Sequence, residues 1–93
     1  MKIRLDPEAA EVVRYLPTPV KARIKKAVAH LAKDPFGHAG TPGIRKLQSS
    51  AGTVYRLKVG AWRVAYQVKG DEVRVLHVFP REDGYGWMAR FGF

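Results

Sequence analysis

Along the chain the spacing of apolar residues changes once, and the change divides it into two kinds of structure. In the amino-terminal half, Ala9, Val12, Val13 and Leu16 recur at helical spacing, as do Val20, Ile24, Ala27, Val28 and Leu31. Asp6-Pro7 and Thr18-Pro19 are start signals, a capping residue followed by proline at the first helical position. Pro17 stops the first helix and Asp34-Pro35 the second, so a helical hairpin is predicted. Ahead of it KIRL (2–5) alternates like an edge strand. FGHAGTPG (36–43) is a loop by composition, and beyond it the period becomes two. IRKLQ (44–48) reads as a short strand and SSAG (49–52) as a turn; TVYRLKV, WRVAYQV and EVRVLHVF then read as three strands. Strand, two helices and a run of strands predict an α+β fold, the helical hairpin packed on one face of a small, mainly antiparallel twisted sheet.

The turns predict a register. Gly60-Ala61 suits a two-residue hairpin loop with glycine first, and Gly70-Asp71 can close the next. Val59 then faces Trp62, Lys58 faces Arg63, Lys69 faces Glu72 and Arg63 faces Val78. On this register one face carries Tyr55, Leu57, Val59, Trp62, Val64, Tyr66, Val68, Val73, Val75, His77 and Phe79, the core under the helices. The other carries Arg56, Lys58, Arg63, Ala65, Gln67, Arg74, Leu76 and Val78. Like charges directly opposite each other destabilise a sheet by a few tenths to about 1 kcal/mol. Lys58 and Arg63 form such a pair, with Arg56 one step along and nothing acidic beside them on that face. A bound polyanion would offset the repulsion; the plainer reading is a solvated basic face.

Bulk properties sharpen this. The chain has 93 residues, enough for a modest core, and residues 1–93 are read as one domain. Seventeen basic residues against eight acidic ones give +9, spread evenly along the chain, a field suited to nucleic acid, an acidic protein or an anionic surface. No cysteine is present, which removes disulfides and thiolate metal sites and suits a reducing cytosol. No apolar run is long enough for a membrane span, and no signal-peptide pattern opens the chain, so a cytoplasmic protein is expected. His30, His38 and His77 have no spacing that makes a metal or acid–base site, and His77 falls among the predicted core residues. Lys21, Lys25 and Lys26 read as the solvent side of the second helix. Trp62 and Tyr66 read as core, and Trp87 as a residue packing the tail onto the sheet.

The stretch KLQSSAGTVYRLKVGAWRVAYQVKGDEVRVLHVFPRE, followed by Tyr85, resembles the RelE/ParE superfamily of toxin–antitoxin toxins, and the resemblance extends over essentially the whole chain. YRLKVGAWRVAYQV is its specific part. It looks more like the RelE branch, whose members cut messenger RNA in the ribosomal A site without a metal, than the ParE branch, which poisons DNA gyrase. The resemblance implies a RelE-like fold, no cofactor, and an acidic antitoxin, the ribosome and messenger RNA as partners, with gyrase the alternative partner. It carries functional positions onto Arg56, Lys58, Arg63, Arg81 and Tyr85.

Those residue types suit the chemistry. Attack by the RNA's own 2′-OH needs that hydroxyl deprotonated, charge on the phosphoryl group stabilised and the leaving oxygen protonated. Arg56 and Lys58 would hold the phosphate, Arg63 would grip it bidentately, and Arg74 on the same face would add to RNA binding. Arg81 would protonate the leaving group or help electrostatically, since a guanidinium loses its proton only above about pH 12. Tyr85 would be a base or a stacking platform, with Lys58 the competing base. Three departures stand out. Arginine occupies position 56, where the family more often has lysine. Glycines 84, 86 and 92 interrupt a tail that is helical in many relatives. Glu82 and Asp83 adjoin Arg81, and would partly block the site if they paired with it. The function classes left open are a ribosome-dependent messenger-RNA endonuclease, a ParE-like gyrase inhibitor, and a non-catalytic RNA-binding module.

Overall fold

A computed structural model of the chain describes residues 1–50, 52–83, 86 and 89. The elements are β1 (Lys2–Leu5), α1 (Pro7–Arg14), α2 (Thr18–Leu31), β2 (Ile44–Ser49), β3 (Gly52–Val59), β4 (Trp62–Lys69), β5 (Glu72–Pro80) and a short 3₁₀ turn, Arg81–Asp83. The strands form one sheet in the order β1-β5-β4-β3-β2, with β1 parallel to β5 and the other pairs antiparallel. This is the α+β arrangement the periodicities predict, with KIRL as an edge strand.

The helices cover one sheet face. Ala9, Val13 and Leu16 from the α1 segment and Ile24, Val28 and Leu31 from α2 meet Leu57, Val64, Tyr66, Val73, Val75 and Val78. Each fully buried aliphatic side chain in this layer contributes roughly 1.5–3 kcal/mol relative to exposure. Both helix starts differ in detail from the sequence reading. Asp6 holds the N-cap position of α1 but its side chain makes no capping bond. Its carboxylate instead accepts two bonds from Arg74, at 2.7 and 3.1 Å. In α2 the cap lies one residue earlier than Thr18, because Lys21 N–H donates to Pro17 O at 2.8 Å. Pro19 is tolerated at the second helical position as at the first, since neither N–H would have an intrahelical partner.

The loop after α2 is tied down at several points. The Asp34 carboxylate accepts bonds from Ala39 N–H (3.0 Å), Thr41 N–H (3.1 Å) and the Thr41 hydroxyl (2.6 Å). Tyr66, fully buried on β4, donates its hydroxyl to Pro35 O at 2.6 Å. Phe36 packs edge-on against Tyr55, which stacks on Tyr66.

The β3–β4 turn has the predicted register: Val59 pairs with Trp62 and Lys58 with Arg63. Gly60 has φ +57° and Ala61 does not, as a turn with glycine in its first central position requires. Lys69 also pairs with Glu72 as predicted. Between them, however, β5 carries a bulge. Tyr66 pairs with Val75 and Ala65 with His77, leaving Leu76 as the extra residue. Arg63 therefore faces Phe79 and not Val78, and every side chain of β5 beyond the bulge changes face. Val78 joins the helix-covered core, while Leu76 and Phe79 form a second buried cluster with Val54 and Ala65 on the other face. His77 moves with them. The expectation that His77 and Phe79 lie under the helices is thereby corrected.

Candidate functional site

The face away from the helices is built in rows across the strands. One row runs Arg45 (β2), Arg56 (β3), Ala65 (β4) and His77 (β5). The next runs Lys58 (β3), Arg63 (β4) and Phe79 (β5). Arg56 and Lys58, two residues apart on one strand, are about 7 Å apart along it. Alternation on β3 and the tight turn at 60–61 thus place Arg56, Lys58 and Arg63 together, as the sequence predicts.

Each cation is held differently. Lys58 and Arg45 are exposed. Arg63 is buried to 8% exposure, and its Nη1 donates to Gly60 O and Trp62 O, both at 2.9 Å. Those carbonyls fix its guanidinium at the turn end of the hairpin. Arg56 is half-buried, and its Nε is buried with no hydrogen-bond partner among the described residues. Desolvation holds the Arg56 guanidinium below the ordinary arginine range, and repulsion from Arg63 and Arg45 adds to the effect. Among the described residues none of Arg45, Arg56, Lys58, Arg63 and Arg81 forms an ion pair.

Arg81 opens the 3₁₀ turn, and its backbone N–H donates to Ala61 O at 2.9 Å. It is therefore anchored beside the same β3–β4 turn that receives Arg63. Glu82 and Asp83 are exposed and form no ion pair with Arg81 among the described residues. Arg74 is not brought into the group. It pairs with Gln67 on β4, four residues and about 13 Å along the strand from Arg63. Its side chain is committed to Asp6. Tyr85 and Trp87 lie outside the described residues, as do Gly84 and Gly92 of the tail.

Three residues near the site escaped the sequence reading. Arg45 faces Arg56 directly, a pairing that follows from the short turn between Ser49 and Gly52. Arg23 on α2 lies against the hairpin turn: a Cβ on Gly60 would stand 2.9 Å from one of its guanidinium nitrogens. Nothing in the spacing of α2 announces that approach. His77 shares a row with Arg56 across the small Ala65, its Nδ1 lies 3.4 Å from Glu8, and its ring stacks on Phe79. The adjacent apolar pair Val75-Leu76, where strict alternation breaks, was the available signal for its face. No cluster of three or more His, Cys, Asp or Glu residues suited to a metal occurs among the described residues.

A helical hairpin over one face of a mainly antiparallel sheet, with cations gathered on the other, is the architecture expected of a RelE/ParE-type toxin. Residues 3–85 match the family described as the ParE toxin of the type II toxin–antitoxin system parDE, and the chain belongs to that family. Comparison with curated protein sequences gives no significant match. Among solved structures, the archaeal RelE-RelB complex from Pyrococcus horikoshii is similar with a TM-score of 0.73 at 20% identity, covering 86% of this chain and 93% of that one. A toxin–antitoxin complex from Mycobacterium tuberculosis gives 0.71 at 18% identity, covering 86% and 96%. The isolated E. coli RelE toxin gives 0.60 at 23% identity, covering 96% and 95%. At these identities the likeness is one of fold.

Proposed function

We propose that this toxin is a metal-independent endoribonuclease that cuts messenger RNA at A-site codons on the ribosome. The observation that carries the reading is the set of Arg56, Lys58 and Arg63 on one sheet face, with Arg81 anchored at the same turn and no acidic partner for any of them among the described residues. Cations facing one another across strands cost stability. An anion held among them would offset that cost, and a phosphodiester is the anion whose geometry suits arginine.

In this mechanism the 2′-oxygen attacks the adjacent phosphorus, the O2′–P bond forms and the P–O5′ bond breaks. A 2′,3′-cyclic phosphate and a 5′-hydroxyl result. The proton from the 2′-OH goes to a base, Lys58 in its neutral form or Tyr85 as phenolate, and the departing 5′-oxygen receives one from Arg81 or water. Arg56 and Arg63 stabilise the charge that grows on the phosphoryl oxygens. Arg74 is left outside the reacting group by its pairing with Asp6.

A cognate acidic antitoxin belongs to the reading, supported by family membership and by fold neighbours that are toxin–antitoxin complexes. A ribosomal target places the protein in the cytoplasm. A second reading, a ParE-like inhibitor of DNA gyrase, is favoured by the description of the matching family. It has no need of a phosphate-binding set.

The test is translation of a defined message in vitro with the purified toxin, cleavage positions being read by primer extension, alongside a gyrase assay. Cuts confined to the A-site codon and absent from naked RNA are expected. Alanine at Lys58, Arg63 or Arg81 should lower cleavage about a hundredfold each, the usual effect of removing one preorganised charge stabiliser. An intact message together with trapped gyrase–DNA complexes would replace this reading with the second. Salt-sensitive RNA binding without cleavage would make the protein a binding module.

A further inference from the structure

We infer that the loop from Asp34 to Gly43 is a seat for Lys58, with Gly43 and Asp34 as positioning residues. The functional consequence rests on the nuclease reading above. Pairing between β2 and β3 begins at Ile44 and Leu57, so Lys58 lies one step beyond the ladder. Its N–H is taken up by Gly43, whose carbonyl accepts it at 3.0 Å. The two backbones approach closely. A Cβ on Gly43 would stand 3.1 Å from Lys58 Cβ and 3.3 Å from Lys58 O, nearer than ordinary van der Waals contact. Gly43 also has φ +82°, a conformation that residues with a side chain rarely adopt. Both features require glycine at the point where the Lys58 stem leaves β3.

Gly43 is in turn located by the rest of the loop. Asp34, buried three residues beyond α2, gathers Ala39 and Thr41 through three hydrogen bonds. Pro35 is fixed to the core by Tyr66. The loop is thus anchored two residues before the glycine that touches Lys58. The loop fixes the backbone and Cβ from which this exposed lysine leaves the last residue but one of β3. A starting point set before substrate arrives is part of the positioning that the reacting complex needs.

The test is a double-mutant cycle on the full-length toxin, Gly43→Ala against Lys58→Ala, read by ribosome-dependent cleavage. Gly43→Ala should lower kcat at least tenfold with little change in the ribosome concentration giving half-maximal rate. In the Lys58→Ala background it should cost almost nothing further, because its effect passes through Lys58. Asp34→Asn, which adds no Cβ at position 43 and loosens the loop only through Ala39 and Thr41, should act in the same direction more weakly and serves if Gly43→Ala fails to fold. Equal losses from Gly43→Ala with and without Lys58, or full activity in a folded Gly43→Ala or Asp34→Asn protein, would overturn the inference. Amide exchange at Lys58 gives a readout independent of cleavage. Faster exchange there in either variant, with Leu57 unchanged, is expected, and unchanged exchange at Lys58 would refute the seat. If the wild-type toxin leaves the message intact, the nuclease reading fails and the exchange result alone decides whether the seat exists.

Discussion

Replacing Arg56 by methionine should make the protein more stable while disabling it. Arg56 faces Arg45 directly on β2 and is repelled by Arg63 on β4, and its Nε is buried without a partner among the described residues. A like-charged cross-strand pair costs about 0.2–1 kcal/mol. Arg45 supplies one such relation, and the diagonal with Arg63 adds a smaller one. A buried donor left unsatisfied costs about 1–3 kcal/mol when fully desolvated. Arg56 is only half-buried, so the low end of that range applies. Methionine keeps an unbranched stem beside Ala65, the cross-strand neighbour, and removes the charge and the orphan donor. Allowing for some lost contact, a net gain of about 1 kcal/mol is expected, or roughly 4–8 °C in Tm for a domain of this size. Thermal unfolding followed by circular dichroism at low and high salt is the assay. Wild type should gain more from added salt than the variant, because the Debye length falls from about 10 Å at 0.1 M to about 3 Å at 1 M. A lower Tm for Arg56→Met, or equal salt responses of the two proteins, would refute the account of this face as electrostatically frustrated.

Three other outcomes are expected. Hydrogen bonds from Thr41 and Ala39 hold the Asp34 carboxyl below its ordinary value; its contribution is therefore fully present above about pH 4, the unfolded-chain value, and is lost as pH falls through the lower folded one. Amide protection at Ala39 and Thr41 should be flat from neutral pH to about pH 4 and decline below it, and a decline near pH 6 would assign the loop to another group. Tyr66→Phe should cost about 1–2 kcal/mol in denaturant unfolding, since Pro35 O loses its donor inside the fold; an unchanged midpoint would mean that water replaces the bond. Arg74→Met should cost at most about 1 kcal/mol, its partly exposed pair with Asp6 being screened, and leave cleavage unchanged, whereas a loss of cleavage comparable to that of Lys58→Ala would return Arg74 to the site.

Local rules were sufficient for much of this protein. The presence of the two helices, their apolar stripes and the two glycine turns are each decided within a few residues. The pairing of Lys58 with Arg63 is equally legible, because a two-residue turn leaves no freedom in the strands that it joins. Arg56 follows by alternation. Arg81 was singled out by family resemblance alone, and its backbone bond to Ala61 is what places it beside the same turn.

What the local pattern could not decide lies where two faces of the sheet compete for the same residues. In Val75-Leu76-His77-Val78-Phe79 both faces are buried, so apolarity does not say which way a side chain points. A bulge at Leu76 satisfies both faces and turns His77 and Phe79 toward the cations. Asp6 could cap α1 or pair with Arg74, two roles separated by 68 positions of chain, and only the packing of β1 beside β5 selects the second. Arg23 meets the hairpin turn because α2 packs against β3. Gly43 meets Lys58 because Asp34 folds the intervening loop onto itself. The sequence by itself determined the elements, their order and the cationic hairpin, since these depend on neighbours along the chain. The tertiary structure decided which cations share the site and which are paired away, since that depends on contacts between residues distant in sequence.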